Sequence, residues 1–186
     1  MGEDTASEVL GFGRSVLHDE ARALDALADS LGESFEQAVE LVVRCKGKLI
    51  VSGLGKSGHV GRKIAATFAS SGTTAIFLHL AEAIHGDLGM ASAGDVALLI
   101  SQSGETAELE PVIDHFRGTA IPIIAITGHA GSTLGEAAEA ALVLPQWQEV
   151  GPESVAPTTS TTMTLALGDA LAMTVMHLKG FSRTDF

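Results

Sequence analysis

One cysteine, one tryptophan and no tyrosine stand among the 186 residues. With Cys45 alone, no internal disulfide framework is available, and the fold has to rest on its apolar core. Positive charge is also scarce: 11 lysines and arginines against 23 aspartates and glutamates leave a formal net charge of −12. No Lys/Arg cluster offsets that balance, so nucleic acid is not expected as a partner. No apolar run reaches the roughly 20 residues needed to cross a bilayer, so no membrane partner is expected either. The opening MGEDTASEVLGFG lacks a basic start and a continuous apolar stretch, and a secretory leader is not expected there. These lacks fit a cytoplasmic protein. An acidic surface does not exclude a small phosphorylated substrate, because surface charge is screened beyond roughly 8 Å at physiological salt. What the chain has in quantity is apolar and small residues, 46% hydrophobic with 21 glycines, which suits one close-packed α/β domain spanning residues 1–186.

The first 46 residues read as helical. Val9, Phe12, Val16, Ala23, Leu24, Leu27 and Leu31 recur at helical spacings, Gly32 breaks the run, and a second helix follows near Ser34–Cys45. From Lys48 the rhythm changes to short apolar runs: Leu49–Leu54, Ala75–Leu78, Val96–Ile100, Ile121–Ile126 and Ala141–Leu144. Continuous runs of this kind fit strands buried on both faces, as in a parallel sheet. Helical stretches lie between them near Gly58–Ser71, Thr106–Phe116 and Ser132–Ala138, and a last helix runs near Pro157–Leu178. The alternation predicts a three-layer α/β/α sandwich around a parallel sheet of about five strands, flavodoxin-like or Rossmann-like. Within it, Met163, Met173 and Met176 read as core, and Asp169 as a buried structural carboxylate.

Ligands in open α/β sheets collect at the carboxyl ends of the strands. After the first strand comes Gly53-Leu54-Gly55-Lys56-Ser57-Gly58. It matches the dinucleotide fingerprint, but the ribose-binding acid roughly 20 positions on is missing from Phe77-Leu78-His79. A P-loop would need glycine where Ile50 stands. What remains is a glycine-lined turn opening a helix, with Lys56 and Ser57 available to an anion. After the third strand comes Ser101-Gln102-Ser103-Gly104-Glu105-Thr106. Its hydroxyls and glycine at a helix start would cradle a phosphate dianion, and Ser103 would also serve as an ordinary helix cap.

These two loops resemble the SIS (sugar isomerase) domain. Glu82-Ala83-Ile84-His85-Gly86-Asp87-Leu88-Gly89-Met90, Ala156-Pro157-Thr158-Thr159-Ser160-Thr161-Thr162 and Gly168-Asp169-Ala170-Leu171-Ala172 are similar to arabinose-5-phosphate isomerases. The resemblance runs from about Lys48 to Phe186. It implies the SIS fold, interconversion of D-ribulose 5-phosphate and D-arabinose 5-phosphate for the 3-deoxy-D-manno-octulosonate pathway, and a homotetramer with sites near subunit boundaries. The chemistry moves a proton between adjacent carbons through an enediol and needs no metal or redox cofactor.

On that basis Glu149 is the preferred proton shuttle and Glu105, which matches the family's glutamate, the alternative. Burial that raises a carboxylate's pKa toward neutrality would suit it to the task. The plainer readings are a surface-loop carboxylate for Glu149 and a first-turn dipole partner for Glu105. His85 would open the ring or polarise the carbonyl, and Lys56 would neutralise the phosphate or an oxyanion. Ser101, Ser103 and Thr106 would hold the phosphate, assisted by Gly55, Ser57 and Gln102. The seven histidines show no paired spacing that calls for a metal. In the family, the segment resembling Gly180–Phe186 leads to a His-Pro-Gly-Gly stretch, and many members then carry a tandem CBS pair. The sequence ends at Phe186, before either, which the resemblance reads as an excised SIS domain with reduced activity or, less naturally, a short form whose remaining histidines do the work. Two rivals stay open: a hexulose-6-phosphate isomerase, and a non-catalytic phosphosugar sensor with the same cradle.

Overall fold

Helices α1 (Glu3–Asp29) and α2 (Glu33–Val43) precede the sheet in the computed structural model, which describes residues 3–185. Their apolar stripes are used unevenly. Ala23 and Leu27 of α1 are buried with Ala38, Val39 and Val42 of α2, whereas Val9, Leu10, Phe12 and Leu17 of α1 stay exposed. Only the C-terminal half of α1 therefore joins the core.

Strands β1 (Leu49–Gly53), β2 (Ala75–His79), β3 (Val96–Ile100), β4 (Ile123–Thr127) and β5 (Ala140–Val143) form one sheet in the order β2-β1-β3-β4-β5. Every pairing is parallel, as the continuous apolar runs predict. Side-chain alternation splits the sheet between two cores. Leu49, Val51, Leu98, Ile100, Ile124 and Ile126 face one layer. Helices α2, α3 (Gly55–Ser70) and α7 (Thr159–Leu178) supply its other wall. Ile50, Ala97, Leu99, Ile123 and Ala125 face α4 (Leu80–Ala83), α5 (Leu109–Gly118) and α6 (Thr133–Ala137). The result is the expected three-layer α/β/α sandwich. Among the described residues no helix is long and apolar enough to cross a membrane.

Four expectations change. The helix after β3 begins at Leu109, not Thr106, and Ser103 does not cap it. The Ser101 hydroxyl bonds the Thr106 hydroxyl at 2.9 Å and accepts the Gly104 amide at 3.1 Å, so residues 101–106 close on themselves as a loop. Between β2 and β3, where the apolar pattern suggests no helix, stand the short α4 and a 3-10 turn at Asp87–Met90, with His85 in the turn that joins them. Asp169 is not buried: its carboxylate is 39% exposed and pairs with Lys63 of α3. Met173 is not core either. Met163, Leu167, Leu171 and Val175, four residues apart, make the buried ridge of α7, and Met173 falls off it into the open.

At the N-terminal end of the sheet, the buried Asp95 ties β1 to β3. It accepts the Lys48 ammonium at 2.7 Å and the Lys48 and Ser92 amides at 2.9 Å each. Burial works against its charge, yet Lys48 and the two amides outweigh that and hold the carboxyl below its ordinary value. A depressed pKa gives stability that is present above the unfolded value, near 3.8, and lost as pH falls through the folded value. Asp95→Ala is expected to cost about 3 kcal/mol at neutral pH, by leaving two amides and an ammonium without their acceptor. Urea unfolding of the variant should lose the part of the acid dependence below pH ~4 that the parent shows.

Candidate active site

The strand order reverses between β1, which leads to β2 on one side, and β3, which leads to β4 on the other. A crevice opens at such a point, at the carboxyl ends of the strands. A cavity of about 280 Å³ lies there, walled by Leu54 after β1, Ile100 of β3, Ile126 of β4 and Ser160, Thr161 and Thr164 of α7. Lys56, Ser57, Gln102 and Glu149 complete its polar lining.

Helix α3 starts three residues earlier than its apolar pattern suggests, at Gly55, whose φ of +58° makes the turn out of β1. Lys56 and Ser57 therefore occupy its first turn. Among the described residues no side chain caps this helix, and no acid sits in its first turn, so its leading amides are open to an anion. Across the switch point, the 101–106 loop holds its own donors in place: besides the Ser101–Thr106 bond, the Ser103 hydroxyl accepts the Glu105 amide at 3.2 Å. Gln102 reaches the cavity from this loop, while its carbonyl accepts the Gly128 amide at 2.9 Å and so anchors the loop to the end of β4.

The two candidate glutamates have different surroundings. Glu149 lines the cavity and grips the start of α7. Its Oε2 accepts the Thr158 amide at 2.7 Å, the Ser160 amide at 3.2 Å and the Thr158 hydroxyl at 3.2 Å, and its Oε1 accepts the Ser160 hydroxyl. Burial pushes its pKa up, but the Ser160 hydroxyl, the two amides and the Thr158 hydroxyl together push harder, and the carboxyl lies below its ordinary value. The N-terminal end of a 20-residue helix favours the anion in the same sense. The environment thus keeps this carboxylate ionised instead of lifting it toward neutrality. Glu105 turns away from the cavity: its two oxygens take the Thr133 amide and hydroxyl, each at 2.7 Å, at the first residue of α6. Those bonds lower its pKa as well.

His85 follows α4 at the same end of the sheet, exposed and outside the cavity wall. Ser101, Ser103 and Thr106 surround the loop that carries Gln102 without themselves forming the wall. Among the described residues no cluster of three or more histidine, cysteine, aspartate or glutamate side chains could hold a metal ion. Ser160 and Thr161 lie in the 156–162 segment that carries the family resemblance, but neither they nor Thr164 is expected at the site; the structure makes them wall residues. A second signal is spacing: positions 160, 161 and 164 fall on one side of a helix whose first turn is rich in hydroxyls.

The doubly wound sheet, with its hydroxyl loop and lysine-bearing helix start at the switch point, fits the family to which the chain belongs: it is a member of the SIS domain family, whose model matches residues 42–174. More particularly, it is 48% identical over 178 residues to the arabinose 5-phosphate isomerase GutQ of Salmonella typhimurium, covering 96% of this chain and 56% of that protein. It is 47% identical over 174 residues to the arabinose 5-phosphate isomerase KpsF of Escherichia coli O6:H1, covering 93% of this chain and 53% of that one. The chain spans about half the length of the curated relatives it matches. The solved structure of E. coli CFT073 c3406 in complex with arabinose 5-phosphate matches with a TM-score of 0.91 at 36% identity, over 100% of this chain and 97% of that chain.

Proposed function

We propose that this chain is an aldose–ketose isomerase interconverting D-ribulose 5-phosphate and D-arabinose 5-phosphate. The carrying observation is the cavity at the switch point, where an ionised carboxylate, Glu149, shares one wall lining with Lys56 and Ser57 at an uncapped helix start. The names of the relatives and the sugar-phosphate complex of the structural neighbour support the same reading.

In this reading the phosphate is held by the leading amides of α3, by Ser57 and by the loop of Ser101, Gln102, Ser103 and Thr106, with Gly55 giving the turn its form. Lys56 balances the phosphate charge or the oxyanion at C2. Glu149 takes a proton from C1 of ribulose 5-phosphate, leaving an enediolate with its charge on O2. The same proton returns to C2, the hydroxyl proton passes from O1 to O2, and no electron leaves the sugar. Glu149 suits the step better than Glu105 because it borders the cavity, whereas both oxygens of Glu105 are committed to α6.

The proposal extends to residues 1–186 acting as one SIS unit, in a cytoplasmic homotetramer. Exposed Val9, Leu10, Phe12 and Leu17 on the unpacked half of α1 support association. His85 is exposed and outside the cavity wall, so a part for it in the reaction would require a neighbouring subunit to bring the two together. A monomeric mass by light scattering would remove this extension.

The test is turnover of ribulose 5-phosphate by this chain with no added metal, followed as appearance of arabinose 5-phosphate. Product is expected. Saturable binding without product would favour a phosphosugar sensor, and turnover of hexulose 6-phosphate instead would move the assignment to that substrate.

A further inference from the structure

Glu149 is held by one residue at both of its oxygens. The Ser160 amide reaches Oε2 at 3.2 Å, and the Ser160 hydroxyl is the sole hydrogen-bond partner of Oε1 among the described residues. A carboxylate gripped at both oxygens by one residue cannot rotate about its last bond without breaking a contact. Ser160 is itself immobile: it is buried, it lies in the first turn of α7, and its carbonyl accepts the Thr164 hydroxyl at 2.8 Å. The Thr158 hydroxyl is a weaker hold. Its single proton is shared between Glu149 at 3.2 Å and the Val150 carbonyl at 3.1 Å. The Ser160 proton has no other acceptor among the described residues and goes to Glu149.

We propose that the Ser160 hydroxyl is a positioning group for the reaction, setting the orientation of the Glu149 carboxylate at the cavity wall. This rests on the isomerase reading for its kinetic consequence but not for its structural one. Ser160 does not exchange protons with the sugar in this account; it acts through Glu149. It also favours the ionised form, since a hydroxyl that donates to a carboxylate stabilises the charge. Two other charged side chains border the cavities that Glu149 lines. Lys56 of α3 shares the first, and Asp19 of α1 shares a second cavity with Phe12 and Trp147. Both are unchanged by substitution at 160, so any shift on changing Ser160 belongs to the hydroxyl.

The experiment compares the parent with Ser160→Ala and Ser160→Thr, reading kcat and KM for ribulose 5-phosphate against pH and titrating the Glu149 carboxyl directly by carbon NMR. Ser160→Ala is expected to lower kcat at neutral pH about tenfold or more, the usual weight of a hydrogen bond to a charged group, with KM within about twofold. Activity needs the ionised base, and losing the donor leaves burial less opposed. The acid limb and the NMR titration of Ser160→Ala should therefore both move to higher pH. Ser160→Thr, which keeps the hydroxyl, should restore kcat and both midpoints. A fall in kcat with unmoved midpoints and no rescue by threonine would overturn the proposal and leave Ser160 a structural cap. A rise in KM at constant kcat would overturn it in favour of a sugar contact. If the parent shows no turnover, the isomerase reading fails by itself. The NMR arm then decides: a Glu149 titration identical in parent and Ser160→Ala overturns the positioning role.

Discussion

Glu149→Gln is expected to lower kcat for ribulose 5-phosphate by about 10²–10⁴-fold, the usual contribution of a positioned acid or base, and to leave KM nearly unchanged. The substitution keeps the shape of the side chain, so the amides of Thr158 and Ser160 retain an acceptor, while the group that would carry the proton is gone. Folding should change little. Removing the charge from the start of α7 costs about 0.5–1 kcal/mol through the helix dipole. The matched control is Glu105→Gln, which weakens the tie to Thr133 of α6 and is expected to leave kcat within a few-fold of the parent. Steady-state kinetics of the two variants decide the assignment. If Glu105→Gln abolishes turnover in a folded protein and Glu149→Gln does not, the proton belongs to Glu105.

Gly104→Val is expected to abolish sugar-phosphate binding, with KM or Kd raised about 100-fold or more. Gly104 sits at φ +69°, where an L residue is strained by roughly 1–2 kcal/mol. A Cβ there would lie 2.0 Å from the Ser132 hydroxyl oxygen and 2.5 Å from its Cβ. Ser132 cannot yield: it is buried, its hydroxyl donates to the His129 carbonyl at 2.7 Å, and the same oxygen accepts the Gly135 amide at 3.2 Å. Overpacking of this kind adds about 1–3 kcal/mol. Moving the 101–106 loop is the available relief, and that displaces the proposed phosphate donors. Gly131→Ala, at a position with open space and ordinary backbone, should bind like the parent. Calorimetric titration with arabinose 5-phosphate, alongside thermal unfolding, reads both effects. Unchanged affinity in Gly104→Val would remove this loop from the phosphate site.

The layered α/β plan is legible because buried parallel strands show as uninterrupted apolar runs: Val96–Ile100 appears in the structure with the boundaries its sequence suggests. Helix starts are less legible. Thr106 looks like a first-turn residue, yet the bonds of Ser101 to Thr106 and Gly104 hold the loop open until Leu109. Gly55 begins α3 although the apolar pattern starts later, because a single glycine at positive φ turns the chain out of β1.

The sequence by itself determined where the five strands lie along the chain and that β1, β3 and β4 are buried throughout, the two glycine- and hydroxyl-bearing loops after β1 and β3, and the family; the edge strands β2 and β5 are only partly buried. Each of these is a local property, carried by consecutive residues whose spacing or composition fits one kind of element. Tertiary structure alone decided which glutamate borders the cavity. Glu105 lies in the stronger motif, but it meets Thr133, 28 residues on, whereas Glu149 meets Ser160 at the mouth of α7. It also decided that Glu149 stays ionised, against what burial alone would do, and that Asp169 and Met173 face outward. Those outcomes depend on which side chains from distant segments arrive at the same place, and that is settled only when the helices pack on the sheet.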